Sequence, residues 1–217
     1  MRLSSLAAAT GLVSAIALTA APAVANELEI SGSAALNIEA DTGDGISHSA
    51  STAEIGIDLS YGGAFGGIWV GSLYDDPSDE LEIELSLGYG GEFAPGYTYG
   101  ITYTHYFLNN SGEQGYDLTF GLAAAVSEQS EIGIDVIYAP EDETTDVEGW
   151  VAVSLTDRWS LAGLVGKSQA DDNTYYEFGV GYALTDSAGL GLVYEDADDS
   201  DGTLTFSVTY DFDILGG

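Results

Sequence analysis

Two histidines and no cysteine leave little material for nucleophilic chemistry. A serine nucleophile needs a base beside it, and only His48 and His105 could serve. Twelve-stranded outer-membrane phospholipases place Ser two residues from His, whereas here Phe107 stands two after His105 and Ala50 two after His48. No catalytic residue emerges, and an enzyme is the least favoured reading. His105 shares the phase of Tyr97 and Tyr103, which suits an aromatic side chain at a membrane interface. The acidic stretch "DADDSDG" (196–202) resembles the start of a calcium loop, but Ala197 breaks the required alternation before Asp199 and Asp201, and no Glu follows at the twelfth place. Weak association of divalent ions with clustered carboxylates is expected there, with no dedicated metal site and no cofactor. Gly-rich pieces such as "GYGG" lack the strand-to-helix setting of a phosphate cradle. In strands, such glycines make room for a neighbouring aromatic ring or a bend.

The abundant chemistry is carboxylate. The chain of 217 residues carries 36 acidic and only 3 Lys or Arg residues, for a formal net charge of −33. That excess argues against a nucleic-acid partner, whose phosphates need Lys and Arg. A saline habitat would explain how many acids there are, but not their positions. In "DELEIELSLGYGG" (79–91) Glu80, Glu82 and Glu84 alternate with Leu81, Ile83, Leu85 and Leu87. A strand turns successive side chains to opposite faces, so this run presents one carboxylate face and one aliphatic face.

The same period of two recurs along most of the sequence. It predicts twelve strands, at about 27–39, 53–61, 64–74, 80–91, 96–107, 116–126, 131–138, 147–155, 159–167, 175–184, 188–195 and 203–214. Short turns follow the even strands, and longer polar loops follow the odd ones. An even number of antiparallel strands, with tight turns at one end and long loops at the other, marks an outer-membrane barrel, all-β and up-and-down. The domain reading is a secretory signal peptide over 1–25, with Met1-Arg2, an apolar Leu6–Ala20 and an Ala23-Val24-Ala25 cleavage site, then a transmembrane barrel over 26–217. Such a protein resides in the outer membrane of a Gram-negative bacterium.

Acids within the strands fall in the phase opposite to Leu, Ile, Val and Tyr. Hydrocarbon excludes ionised carboxylates and open sheet edges, so a closed barrel would send the acids into a watery interior and the apolar phase into lipid. Glu54, Asp58, Glu82, Glu84, Asp117, Asp135, Glu148 and Glu177 are the expected pore-lining residues. Tyr61, Tyr89, Tyr97, Trp159, Tyr182 and Tyr210 sit in the apolar phase near the short-turn end, and Tyr116, Tyr138, Tyr176 and Tyr194 near the long-loop end, as two aromatic girdles at the lipid interfaces. Lys167 ends the ninth strand in the apolar phase and is expected to snorkel to a lipid phosphate; Arg158 is expected to pair with Asp157 in a turn. A soluble β-sandwich or lipocalin-like barrel would face its apolar phase to a core, with no reason to gather tyrosines at both strand ends. The third strand is the least decided, because Phe65, Trp69 and Leu73 compete with Ile68, Val70 and Tyr74 for the outer face.

The run "GGIWVGSLYDD…DELEIELSLGYGGEFAPGYTYGITYTHYFL", Gly66 to Leu108, resembles the TorF family of outer-membrane porins. The resemblance is carried by the Trp-containing third strand, the acid-alternating "EIELSLGYGGEF" and the Tyr-rich fifth strand. It implies a barrel porin without catalytic residues. The family's aromatic-Arg-Gly-Ile-Ser element is represented by Gly45-Ile46-Ser47 alone, with Asp44 in place of Arg. The terminal strand "LTFSVTYDF" has the alternating aromatic character of a signal to the barrel-assembly machinery.

The function expected on these grounds is passive, cation-preferring diffusion of small hydrophilic solutes, by a monomer or a homo-oligomer in contact with outer-membrane lipid and lipopolysaccharide. The alternative is a non-conducting barrel that displays its acidic loops as a scaffold for cations or a partner. It would follow if Ile68, Val70, Ile137, Leu164 and Val193 packed across the interior.

Overall fold

The computed structural model describes residues 27–43, 45–74, 76–198 and 200–216. The signal-peptide reading and Asp44 therefore lie outside the described residues. Twelve strands follow one another: β1 (Glu29–Asp41), β2 (Ser47–Tyr61), β3 (Ala64–Ser72), β4 (Leu81–Ala94), β5 (Tyr97–Leu108), β6 (Gly112–Ser127), β7 (Ser130–Ala139), β8 (Thr144–Ser154), β9 (Trp159–Lys167), β10 (Thr174–Ala183), β11 (Ala188–Ala197) and β12 (Thr203–Leu215). Each pairs antiparallel with its sequence neighbours, and β1 pairs with β12 from Ile30↔Leu215 to Asp41↔Thr203, closing the sheet into an up-and-down barrel. Closure leaves no strand edge unpaired.

The turn chemistry explains why one end is tight. Gly62 and Gly63, with φ of 59° and 85°, form the two-residue link between β2 and β3. Positive φ at both central residues matches the twist of the flanking strands and favours glycine. At Pro95-Gly96 the proline presets its own φ, Gly96 takes φ 77°, and Glu92 Oε1 accepts the Gly96 N–H at 2.6 Å. The Thr156 hydroxyl oxygen accepts from the Arg158 and Trp159 amides, and Thr185 does the same for Ser187.

At the other end the strands run further into polar sequence than the alternation suggests. β2 begins at Ser47 and β6 at Gly112, so the β5–β6 connection shrinks to 109–111. Both faces of these extensions are polar, so period two fades there although the ladder of backbone hydrogen bonds continues. The β3–β4 loop is anchored on Asp79, which is only 2% exposed. Its carboxylate accepts from the Asn110 and Ser111 amides and the Ser111 hydroxyl. Asn109 Oδ1 returns the link by accepting from the Glu80 and Leu81 amides. These hydrogen bonds hold the Asp79 carboxyl below its ordinary range.

The distribution of polarity is the inverse of a water-soluble fold. Leu87 is 65% exposed, and Ile55, Ile57, Leu59, Leu85, Ile134, Val165 and Phe178 are likewise exposed on the outer surface. Glu82, Glu177, Asn37, Thr52 and Ser207 are buried on the inner face.

Candidate functional site: the acidic inner wall

Register fixes which side chains face inward. Exposed Ile57 lies opposite Ile68, and Ile68 opposite Leu85, so these three share the outer face. Glu54 opposes Gly71, which opposes Glu82, on the inner face. By the same pairing Asp58, Glu84, Asp117, Asp135, Glu148 and Glu177 all point inward. The β3 ambiguity is thereby decided: Ile68 and Val70 face out, while Phe65 and Trp69 face in. Ile68 and Val70 therefore do not pack across the interior as the non-conducting alternative requires, because a ring needs a vacant site beside it and the inner face supplies one. A β-carbon on Gly71 would overlap Trp69, and one on Gly88 would overlap Phe65. Leu164 and Val193 do face inward, where they pack with Ala162 on the β9–β11 wall.

Most of the inner acids form a circuit. Each of the following lies in the electrostatic field of the next: Glu39, Glu54, Glu84, Asp117, Asp146, Glu148, Glu177, Glu195, and back to Glu39. Glu82 adjoins Glu84 and Asp135 adjoins Glu148. Asp58 stands apart toward the short-turn end, over Gly67. Glu39, Asp146 and Glu195, outside the set that alternation predicts as pore-lining, complete the ring. Asp146 lies beyond the alternating stretch, and β8 reaches it because pairing extends further than the alternation.

Inward-facing aromatic and amide donors hold the carboxylates in place. The Trp150 indole N–H donates to Asp135 Oδ2 at 2.7 Å, and the Tyr175 hydroxyl donates to Glu148 Oε1 at 2.5 Å. Trp69 bonds to Glu54, which also accepts from Asn37 Nδ2 at 2.6 Å, and Tyr106 bonds to Asp117. Trp150 and Tyr175 rest on Gly133 and Gly166, where a side chain would overlap the rings. Alternation alone does not point to Tyr106, Trp150 and Tyr175 as inner aromatics, and it leaves Trp69 undecided. A glycine on the same face, two residues along or across the ladder, was the available signal.

No basic side chain is bonded to the ring among the described residues. Lys167 faces outward at the end of β9 and pairs with Asp172 at 3.0 Å. Arg158 donates from Nη1 to the Tyr182 hydroxyl at 3.3 Å, and this contact replaces the expected turn pair with Asp157. His105 lies outside, its Nδ1 facing the Tyr103 hydroxyl at 3.0 Å and its Nε2 facing Glu113 at 2.8 Å. Glu113, expected in a loop, is instead a β6 residue in the outward phase. His48 meets Ser51 at 2.9 Å. No three His, Cys, Asp or Glu side chains converge as a metal cage among the described residues.

The outer aromatics fall into two belts. Tyr61, Tyr89, Tyr97, Trp159 and Tyr210 are exposed near the short turns, with Tyr182 packed 4.7 Å from Trp159. Near the long loops Tyr176 and Tyr194 both donate their hydroxyls to Asp196, at 2.8 and 2.9 Å. Asp196 is thus a strand residue on the outer face, tied down by two phenols, whereas the sequence reading assigned it to a loop.

Solved structures similar to this chain include porins and an outer-membrane channel. The KdgM porin in complex with disordered oligogalacturonate superposes with a TM-score of 0.67 at 10% identity, over 83% of this chain and 99% of that one. The NanC porin gives 0.60 at 12% identity, over 85% and 100%. The COG4313 outer-membrane channel from Pseudomonas putida F1 gives 0.53 at 12%, over 85% and 95%. At these identities the likeness is one of fold. No protein-family model and no curated protein matches the sequence.

Proposed function

We propose that the protein is an outer-membrane porin that passes small hydrophilic solutes and prefers cations. The observation that carries this reading is the closed circuit of carboxylates on the inner wall, with no basic partner bonded to it among the described residues, inside an outer surface of exposed aliphatic side chains. Water would not favour that outer surface, and acyl chains would. Carboxylates ringing a narrow passage between low-dielectric walls concentrate cations and repel anions. The aromatic belts mark the two interfaces, with the short turns periplasmic and the longer loops outside. Lys167 lies at the outer belt, where its ammonium meets lipopolysaccharide phosphate as well as Asp172. The TorF resemblance and the porin folds support the class of protein, and assembly machinery would read the terminal strand β12.

The acidic wall disfavours a molecule like the oligogalacturonate of the KdgM complex. Oligogalacturonate is a polyanion with one carboxylate per sugar, and this wall would repel it. Uptake into proteoliposomes of matched cationic, neutral and anionic solutes tests the proposal. Cationic solutes should enter fastest; faster entry of the anionic solute would overturn it.

A second reading has its own support. Phe65, Trp69, Tyr106, Trp150 and Tyr175 face inward, and Leu164 and Val193 pack on the same wall, all of which narrows the interior. In a barrel closed by these side chains, the acidic loops would act as a surface scaffold. Absence of uptake for all three solutes would favour it.

A further inference from the structure

Three side-chain oxygens on adjoining strands are buried without a hydrogen-bond partner: Glu177 Oε2 on β10, Glu195 Oε2 on β11 and Thr205 Oγ1 on β12. Glu177 is 5% exposed and Thr205 4%. Glu177 and Glu195 are direct cross-strand partners, and Thr205 opposes Val193, the inward residue next to Glu195 on β11. Beside them on the same face lies the apolar cluster of Val193, Ala162 and Leu164, which offers no donor. The charged groups that face the pair from other strands are again carboxylates: Glu148 from β8 and Glu39 from β1. The hydroxyl of Tyr175, two residues from Glu177 on the same face of β10, is committed to Glu148.

Like charges directly opposite on a sheet repel. A buried oxygen without a donor costs about 1–3 kcal/mol, and more when charged. A positive ion between the carboxylates relieves both penalties. We propose that Glu177, Glu195 and Thr205 form a site on the inner wall for a hard, oxygen-seeking cation of the calcium class. The donors are all oxygens, as such ions require, and calcium tolerates the irregular shell that two carboxylates, one hydroxyl and interior water provide. Magnesium, which demands near-ideal octahedral geometry and dehydrates reluctantly, fits less well. Three protein donors, with the rest of the shell left to water, imply binding in the weak range typical of extracellular calcium modules, roughly 0.1–1 mM. The site deepens the cation-porin reading and rests on it in one respect, the need for water inside the barrel.

The test is calcium titration of the refolded barrel in detergent at fixed KCl, by equilibrium dialysis with radioactive calcium. Wild type should take up one ion more per barrel than the double variant Glu177→Gln/Glu195→Gln. A loop variant, Asp198→Asn/Asp201→Asn, should keep that ion. Thr205→Val, nearly isosteric, should weaken the same step several-fold, and it keeps the test decisive if the double variant folds poorly by gel mobility. Equal uptake by wild type and the Glu177 and Thr205 variants would overturn the site, as would no saturable uptake by wild type. Bilayer recording of the same preparations separates the two claims. Cation selectivity with unchanged calcium binding sinks the site alone; anion selectivity or silence with a lost ion sinks the porin reading alone.

Discussion

The indole of Trp150 lies across Gly133 on the neighbouring strand and reaches past it to donate to Asp135, two residues further along, at 2.7 Å. The missing side chain at Gly133 is what allows the ring to lie against the wall, and the ring in turn gives an inward carboxylate a donor.

Gly133→Val should therefore displace the indole and strip Asp135 of its partner. Overpacking of this kind costs about 1–3 kcal/mol. Trp150→Phe, which keeps the ring and removes the donor, should cost less, on the order of 1 kcal/mol for one hydrogen bond. Urea unfolding from lipid vesicles measures both; equal stability of wild type and Gly133→Val would contradict the packing described.

Neighbouring residues on β4 separate the two faces. Leu87 is exposed on the outer face, and Ser86 faces inward opposite Gly67 and Thr104. Leu87→Lys should impair bilayer insertion, by less than the about 2–4 kcal/mol of a lysine at the membrane midplane because Tyr89 of the short-turn belt lies two residues away on the same face. Ser86→Lys should insert normally and lower cation preference. The opposite ranking in a vesicle-folding assay would mean that the faces are exchanged.

Glu84 and Asp117 share one stretch of the ring. The double variant Glu84→Gln/Asp117→Asn should lower the cation-to-anion permeability ratio while leaving the barrel fold intact by circular dichroism. An unchanged ratio would place the selectivity elsewhere in the chain.

Asp79 holds the β3–β4 loop to the β5–β6 turn. Its carboxyl titrates below its ordinary value in the fold, so the stabilisation is fully present above the unfolded pKa and is lost as pH falls through the lower folded one. Amide exchange at Asn110 and Ser111, normalised for intrinsic rates, should stay protected at neutral pH and open in acid. Asp79→Asn should open these amides already at neutral pH, with the strands unaffected. Protection unchanged in the variant would count against the anchor.

The barrel was legible because lipid-facing and water-facing residues must alternate, and Ile55, Ile57 and Leu59 against Glu54 and Asp58 obey that rule plainly. All eight acids singled out from alternation lie on the inner face. β3 resisted because both of its phases are apolar. The choice was made by Gly71 and Gly88, and Gly88 is on another strand, information that periodicity along one strand does not contain. Tyr106 and Tyr175 were missed for a related reason: tyrosine reads as a girdle residue until a carboxylate partner on another strand is known. Glu113, Asp146 and Asp196 were read as loop acids because outside the apolar zone a strand has no need to alternate. Arg158 reaches Tyr182 across the sheet end, a pairing that sequence proximity to Asp157 obscured.

Carboxylates without basic partners among the described residues wall the interior, and the reversal potential of the barrel in a planar bilayer across a KCl gradient reads their effect on permeating ions. The potential should take the sign set by potassium permeating more readily than chloride. A potential of the opposite sign, or a bilayer that shows no conductance steps, would contradict it.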